Sequence, residues 1–138
     1  MHKKSRDRLH PMMVSARQTY NHSYKKKDKN CCDFETFYRL SQLPCHYCGR
    51  NPFRIYNIGN CREGSYYTTD EQKENGNFVY NGIDRIDSTK SHTSDNLVPC
   101  CWVCNRAKAN KPVEEFLEWI ELVYNYTKLT HRTSDTTV

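Results

Sequence analysis

Two cysteine pairs with C-x-x-C spacing constrain this chain more than any other feature of its sequence. They are Cys45 with Cys48, and Cys101 with Cys104. Two such pairs supply the four thiolates of a tetrahedral zinc site, and a zinc ion with four protein ligands has no position open to a substrate. Residues 49 to 100 lie between the pairs, which is a longer interval than in a simple zinc ribbon. We therefore predict a structural zinc ion that clamps the base of an inserted hairpin.

The remaining cysteines are predicted to be free. Cys100 competes with Cys101 as a ligand, but only Cys101 keeps the two-residue spacing to Cys104. Cys31, Cys32 and Cys61 are predicted to be ordinary reduced thiols. Eight cysteines also fit a secreted disulfide framework, but the N-terminus lacks the apolar core of an export signal. Metal-bound thiolates in a reducing, intracellular compartment are the favoured interpretation.

Composition indicates a small domain that needs a metal. The 138 residues predict one domain with tails, and the mean hydropathy of −0.95 is low for a globular protein. Metal-binding free energy would make up for missing apolar burial. No stretch of the sequence has the apolar length of a membrane span, so no membrane contact is predicted.

The basic residues are concentrated at the N-terminus. Residues 1–30 contain nine Lys or Arg and two Asp or Glu, a charge of +7, whereas the whole chain carries +5. Such an arm predicts binding to a polyanion through phosphate contacts. The predicted contacts in this arm are Lys25, Lys26, Lys27 and Lys29. The alternative is a solvated, charged tail.

Residues 82–108 combine strand and helix signals. The alternating apolar residues of the first predicted strand are Phe78, Tyr80, Ile83 and Ile86. Residues 97–99 form a second apolar run after a turn-rich loop, which predicts a hairpin. Helix-favouring residues after Cys101 place Asn105 in a first helical turn, facing back toward Asp84. A carboxylate and an amide oxygen between two strands and a helix form a candidate metal cradle.

This run resembles the HNH endonucleases. In that family an Asp-His pair ends the first strand, a central Asn lies in the loop, and a His or Asn on the helix binds the metal. Asp84, Asn96 and Asn105 match three of these positions, whereas Arg85 stands where the family usually has its catalytic histidine. The resemblance implies an α+β fold, a zinc-stapled ββα-metal (His-Me finger) core with flanking helices. Asp-Arg variants are similar to HNH-type proteins of phages and large viruses, which would place the protein in a host cytoplasm or nucleus.

The resemblance also implies a metal-dependent DNA endonuclease. Asp84 and Asn105 offer hard oxygen ligands that suit Mg²⁺ or Mn²⁺. The metal would polarise the scissile phosphate and stabilise the leaving oxygen, while a base activates water. The implied partner is nucleic acid, most simply double-stranded DNA.

Arg85 cannot act as the base, because its guanidinium stays protonated. It is predicted to bind phosphate and stabilise charge in the transition state. His92 is the candidate base, with Asp87 and Tyr80 as weaker alternatives, and a solvated loop histidine remains an equal interpretation.

The other assignments in this run complete the candidate site. Asn96 is predicted to support the loop by hydrogen bonds across the hairpin. Arg106 and Lys108 are assigned to nucleic-acid binding.

Flanking helices are predicted on both sides of this core. Residues 12–24 have helical periodicity, and Asp33 is the predicted N-cap of a second helix. Residues 54–58 and 78–86 are predicted to pair as strands. A helix from Pro112 carries a broad apolar face that is predicted to be core; its residues are Phe116, Leu117, Ile120, Val123 and Tyr124. The predicted domains are a disordered arm (1–11), a nuclease domain (12–126) and a polar tail (127–138).

Two other functions remain open. A nucleic-acid-binding module could retain the zinc fold without cleavage, and Arg85 is the feature that favours it. A zinc-organised protein-interaction domain is the weaker alternative, because it leaves the basic arm unexplained.

Overall fold

The computed structural model describes residues 9–61 and 68–132, which contain helices and short antiparallel strands. The α-helices are α1 (Pro11–Tyr20), α2 (Phe34–Ser41), α3 (Asp70–Asn75), α4 (Trp102–Lys108) and α5 (Val113–Arg132). The strands are β1 (Arg54–Tyr56), β2 (Phe78–Tyr80), β3 (Gly82–Arg85) and β4 (Leu97–Cys100). A π-helical turn (Asn21–Lys25) continues α1, and two 3-10 turns span Ile58–Asn60 and Ser94–Asn96. The predicted α+β class is confirmed. Residues 1–8 of the predicted disordered arm (1–11) fall outside the described residues, whereas Pro11, the last residue of that arm, begins α1.

The strands form two separate antiparallel pairs. β1 pairs with β2, with Ile55 opposite Val79, and β3 pairs with β4, with Asp84 opposite Val98. The single strand predicted over residues 78–86 is therefore wrong, because the chain leaves the first pair at Asn81. The Asn81 backbone N–H donates to the Ser41 carbonyl at 2.9 Å, so it cannot pair with a neighbouring strand.

Asn81 also connects the two strand pairs to the rest of the molecule. Its buried side-chain amide donates to the carbonyl oxygens of Leu43 and Arg50, at 3.0 and 3.2 Å. These carbonyls lie on either side of the first cysteine pair. Asn81 thereby fixes where that pair sits against the start of β3.

The main core lies between α1, α2 and the strands. Tyr20, Phe37 and Phe78 are buried there, and Ile83 of β3 reaches the same cluster. Asp33 caps α2 as predicted, since its carboxylate accepts from the Thr36 N–H at 2.8 Å. The aromatic side chains of α1 and α2 therefore form a layer on which one face of the β3–β4 hairpin rests.

Helix α5 differs from its prediction. Only Phe116 is buried, with 1% of its surface exposed, while the other four residues of the predicted core face are between 40% and 53% exposed. Phe116 packs edge-on against Tyr47, with 5.4 Å between ring centroids. The helical periodicity identified an apolar face correctly, but among the described side chains of this helix only Phe116, in the first turn, is buried. The prediction that this face is core is wrong.

The end of α5 does not coincide with the predicted domain limit at residue 126. The helix continues to Arg132, so residues 127–132 of the predicted polar tail are helical. The part of that tail from residue 133 onwards falls outside the described residues. None of the described helices, α5 included, combines the length and the apolar character needed to cross a membrane.

Candidate metal centre and hairpin site

The four cysteines of the two pairs converge as predicted. The Sγ atoms of Cys45, Cys48, Cys101 and Cys104 all lie within 4.8 Å of one another, and those of Cys48 and Cys101 are 3.7 Å apart. Around a tetrahedral zinc ion with bonds of about 2.3 Å, sulfur atoms lie roughly 3.8 Å apart. The cluster could therefore hold a structural metal such as zinc. Cys101 rather than Cys100 belongs to it.

Local backbone geometry positions each cysteine pair. In the first pair, the Gly49 N–H donates to the Cys45 carbonyl at 2.9 Å, and Gly49 has a φ of 73°, a conformation that glycine adopts without strain. In the second pair, Cys101 is the N-cap of α4, and its sulfur accepts from the Cys104 N–H at 3.4 Å. Gly49 therefore allows the chain to fold back over the first cysteine pair.

One hydrogen bond joins the first knuckle to the hairpin. The His46 N–H donates to the carbonyl of Pro99 in β4, at 2.8 Å. The first pair is therefore attached to the strand that leads directly into the second pair. This contact explains how cysteines so far apart in sequence meet at the base of the hairpin.

The electrostatics of the cluster favour a bound cation. Burial acts to raise the pKa of Cys45, but hydrogen bonds from the N–H groups of Cys101, Cys48 and Tyr47 lower it to about 6. Burial raises the pKa of Cys104, and contacts with the sulfurs of Cys101 and Cys48 raise it further. Four sulfur atoms this close cannot all ionise without a counter-charge. A zinc ion provides that charge, so the donor set fits it.

The other cysteines are free thiols. All eight cysteines lie within the described residues, and none forms a disulfide. Cys31, Cys32 and Cys100 are buried, and burial raises the pKa of each thiol. Cys61 is exposed.

Asp84 lies in β3 on the side of the hairpin that faces α4 and the cysteine cluster. Its Oδ2 accepts from the Tyr47 hydroxyl at 2.9 Å and lies 3.1 Å from the Lys108 ammonium. Within the described part of the chain, no donor reaches Oδ1 of Asp84. The buried polar atoms without a hydrogen-bond partner do not include Oδ1, so this oxygen is not a buried, unsatisfied atom. The carboxylate is thus held through one oxygen while the other stays open. Burial and the Asp84 carboxylate both raise the pKa of Tyr47, which keeps the hydroxyl protonated as a donor.

Lys108 has a different environment from the one predicted. The sequence assigned it to a nucleic-acid-binding surface, but its side chain is 0% exposed. Its ammonium contacts Asp84 and donates to the Arg85 carbonyl at 3.3 Å. A buried ammonium cannot contact a phosphate on the surface. Lys108 instead neutralises the carboxylate of Asp84.

Asn105 shares a face of α4 with Lys108. Residues three apart on a helix are neighbours on its surface, so the side chains of Asn105 and Lys108 project in similar directions. Lys108 reaches Asp84, which places Asn105 on the face of α4 that looks toward β3. Asn105 is half-buried, and its side-chain amide has no hydrogen-bond partner within the ranges described. Asn105 closes the first turn of α4 as predicted, since its backbone N–H donates to the Cys101 carbonyl at 2.9 Å.

Asn96 makes the predicted bonds across the hairpin loop. Its Oδ1 accepts from the Asp87 N–H at 2.9 Å, and its Nδ2 donates to the carbonyls of Asp87 and Ser91, both at 3.0 Å. The guanidinium of Arg85, in the same hairpin, donates to the Lys90 carbonyl at 3.1 Å. Asn96 therefore closes the loop, and Arg85 lies along it.

His92 lies on the other side of the hairpin from Asp84. Its backbone N–H and its Nδ1 contact the Asp28 carboxylate, at 2.7 and 2.9 Å, and its ring meets that of Tyr24 edge-on. Tyr24 packs against the core cluster that contains Ile83, and adjacent strand residues point to opposite faces. The side chains of His92 and Asp84 therefore lie on opposite sides of the hairpin. Hydrogen bonds from His92 hold the pKa of Asp28 at about 2.

The exposed basic residues that were predicted to bind nucleic acid lie in two places. The four lysines of residues 25–29 are exposed, and Lys25 donates to the Lys29 carbonyl at 3.0 Å. Arg106 is exposed on α4, where its guanidinium lies 4.7 Å from the centroid of the Trp102 ring. Trp102 and Tyr47 were not identified from the sequence. Their only signal was an aromatic residue next to a metal-binding cysteine.

Comparison of the chain with protein-family models, with curated proteins and with solved structures gave no match. The functional interpretation therefore depends on the residues and their geometry.

Proposed function

We propose that the protein is a metal-dependent endonuclease of the HNH type. The observation that supports it is the asymmetric contact of Asp84, whose Oδ2 is held by Tyr47 and Lys108 while Oδ1 has no donor within the described ranges. A carboxylate arranged in this way is oriented by the protein and keeps one oxygen for a ligand. Its position in a hairpin that leads into a helix also supports the proposal.

The four-cysteine cluster takes a structural zinc ion in this proposal. All four ligands come from the protein, so the ion stabilises the fold and takes no part in the reaction. The cluster joins the start of α4 to the first knuckle. It thereby fixes α4, and the residues on it, against β3.

A second ion would be held by Asp84 and Asn105. The open oxygen of Asp84 and the unpaired amide of Asn105 are hard ligands, and this donor set fits Mg²⁺ or Mn²⁺. When bound, the ion would supply Lewis-acid stabilisation for the phosphodiester. The chain itself orients the carboxylate through Tyr47 and Lys108, and Arg85 offers a guanidinium for phosphate charge.

The proposed substrate is nucleic acid, with double-stranded DNA as the first one to test. Exposed lysines in residues 25–29 and exposed Arg106 supply positive charge for phosphate contacts. Such contacts give affinity without sequence choice. Neutralising the four lysines should therefore weaken DNA binding and lower its salt dependence.

The direct experiment is cleavage of supercoiled plasmid by the zinc-loaded chain with added Mg²⁺ or Mn²⁺. The proposal expects nicked or linear DNA with either ion and none with Ca²⁺ alone. Substituting Arg85→Ala should slow cleavage, because phosphate charge is less well stabilised, without altering the pH at which activity rises.

A nucleic-acid-binding module without cleavage is the second candidate. It is favoured by a separate observation, namely that Asp28 holds His92 on the side of the hairpin away from Asp84. Arg85 occupies the usual position of the histidine and cannot accept a proton. Salt-dependent DNA binding combined with intact plasmid under every metal would select this candidate.

A further inference from the structure

An exposed tryptophan lies at a rigid point beside the metal centre. Trp102 is the first residue of α4 and directly follows Cys101, which is completely buried in the cysteine cluster. Its own side chain is 44% exposed. Large aromatic side chains usually gain stability by burial, and one held open on a fixed backbone is available to a ligand.

Two arginines from different elements surround this indole. Arg106, one turn further along α4, places its guanidinium 4.7 Å from the Trp102 ring centroid. Arg54 of β1 lies 6.0 Å from the same centroid and 5.9 Å from that of Tyr80. Neither guanidinium has a carboxylate partner in the parts of the chain that are described. Their charge is therefore available to an anionic ligand.

A similar pair of an arginine and an aromatic ring lies next to the first knuckle. The guanidinium of Arg50 lies 5.6 Å from the ring centroid of Phe53, which is also exposed. Arg50 is anchored, because its carbonyl accepts from the Cys45 N–H at 2.8 Å and from Asn81. This pair likewise combines a flat ring with positive charge on a backbone that the first knuckle fixes.

We propose that Trp102, Arg54 and Arg106 form a binding site for an unpaired nucleotide base and its adjacent phosphates. An unpaired base exposes a flat π-face that stacks on an indole or a guanidinium plane. Arginine binds phosphate oxygens through parallel N–H donors. A base within a duplex has both faces covered by its neighbours, so this site selects a single-stranded segment. The proposal rests on the proposed function only for the class of ligand, and it requires no cleavage.

Fluorescence provides a matched test, because the chain contains two tryptophans. Trp119 is 47% exposed and lies on a different helix, α5, so it serves as the control for an exposed indole outside the proposed site. Trp119→Phe leaves Trp102 as the reporter, and Trp102→Phe leaves Trp119. The zinc-loaded chains are titrated with a short oligodeoxythymidylate at low salt, without added Mg²⁺ or Mn²⁺. We expect saturable quenching of Trp102 and an unchanged Trp119 signal; equal quenching of both, or none of Trp102, would overturn the proposal.

Affinity measurements separate stacking from charge. Trp102→Ala should weaken binding of the single strand about tenfold, while Trp102→Phe should retain most of it because the ring remains. Arg54→Gln should lower the slope of affinity against salt by about one, through loss of a phosphate contact. A Trp102→Ala loss that is equally large on the matched duplex would instead show a phosphate-binding surface and contradict the base site.

The result is independent of the nuclease test. Quenching of Trp102 without plasmid cleavage would support the base-binding site and contradict the proposed nuclease activity. Plasmid cleavage without quenching of Trp102 would support the nuclease activity and contradict the base-binding site.

Discussion

The ammonium of Lys108 lies 3.1 Å from Oδ2 of Asp84 and is completely buried. This contact joins the last residue of α4 to the middle of β3, across the structure that the cysteine cluster fixes. It also leaves Oδ1 of Asp84 as the oxygen that can bind a ligand.

Replacing Lys108 should reveal how much this ion pair stabilises the fold. Lys108→Met leaves the Asp84 carboxylate without its counter-charge, and such a loss costs about 3 kcal/mol of unfolding free energy. Lys90→Met is the control, since the Lys90 side chain is mostly exposed and its ion pair with Asp87 lies at the surface. Urea denaturation measures both. Equal stability of the two variants would contradict the buried pair.

Zinc content should follow the cysteine cluster and no other thiol. The purified chain is expected to contain one zinc ion, and Cys45→Ser or Cys104→Ser should remove it together with the fold, because metal binding contributes folding free energy. Cys61→Ser should keep the ion, since Cys61 lies outside the cluster. Elemental analysis with circular dichroism checks all three. Less than half an equivalent of zinc in the folded parent would reject the assignment.

Tyr24 predicts a loss of stability at alkaline pH. Burial raises the pKa of Tyr24 to about 12 from an ordinary value of 10. The unfolded chain therefore loses this proton first, so the contribution is complete below pH 10 and falls as the pH rises toward 12. Tyr24→Phe should flatten this part of the stability profile, whereas exposed Tyr124→Phe should leave it unchanged. Identical slopes for the parent and Tyr24→Phe between pH 10 and 12 would contradict the burial of this hydroxyl.

Two residues of α5 should respond very differently to truncation. Phe116→Ala removes the one buried contact of this helix against Tyr47 and should cost about 3 kcal/mol. Leu129→Ala should change stability by less than about 0.5 kcal/mol, because the side chain is exposed. Thermal or urea unfolding compares them. A large loss at Leu129 would mean that the outer part of α5 is covered in solution.

Local patterns predicted the parts of the site that depend on spacing. The C-x-x-C pairs identified all four clustered cysteines because ligand spacing within a knuckle is fixed by local backbone geometry. Asn96 was recognised because an amide in a turn-rich loop commonly bonds nearby backbone groups. The β3–β4 pairing followed from two apolar runs joined by polar turn residues.

Contacts between distant elements could not be predicted in this way. Lys108 carries the pattern of a surface residue, and its burial arises only when α4 packs on β3 beside Asp84. The same limit applies to α5, whose apolar periodicity does not show whether another element covers it. Trp102 and Arg54 lie far apart in sequence and meet through the fold.

The most direct measurement of the central claim is plasmid nicking by the zinc-loaded chain with Mn²⁺, compared with two carboxylate variants. Asp84→Ala should lose cleavage while keeping one zinc ion and a folded spectrum, because it removes the open oxygen and leaves the cysteine cluster intact. Asp95→Ala is the matched control: its carboxylate is exposed in the hairpin loop and accepts from the Thr93 hydroxyl, so cleavage should persist. An Asp84→Ala protein that nicks DNA as fast as the parent would contradict the proposed metal site.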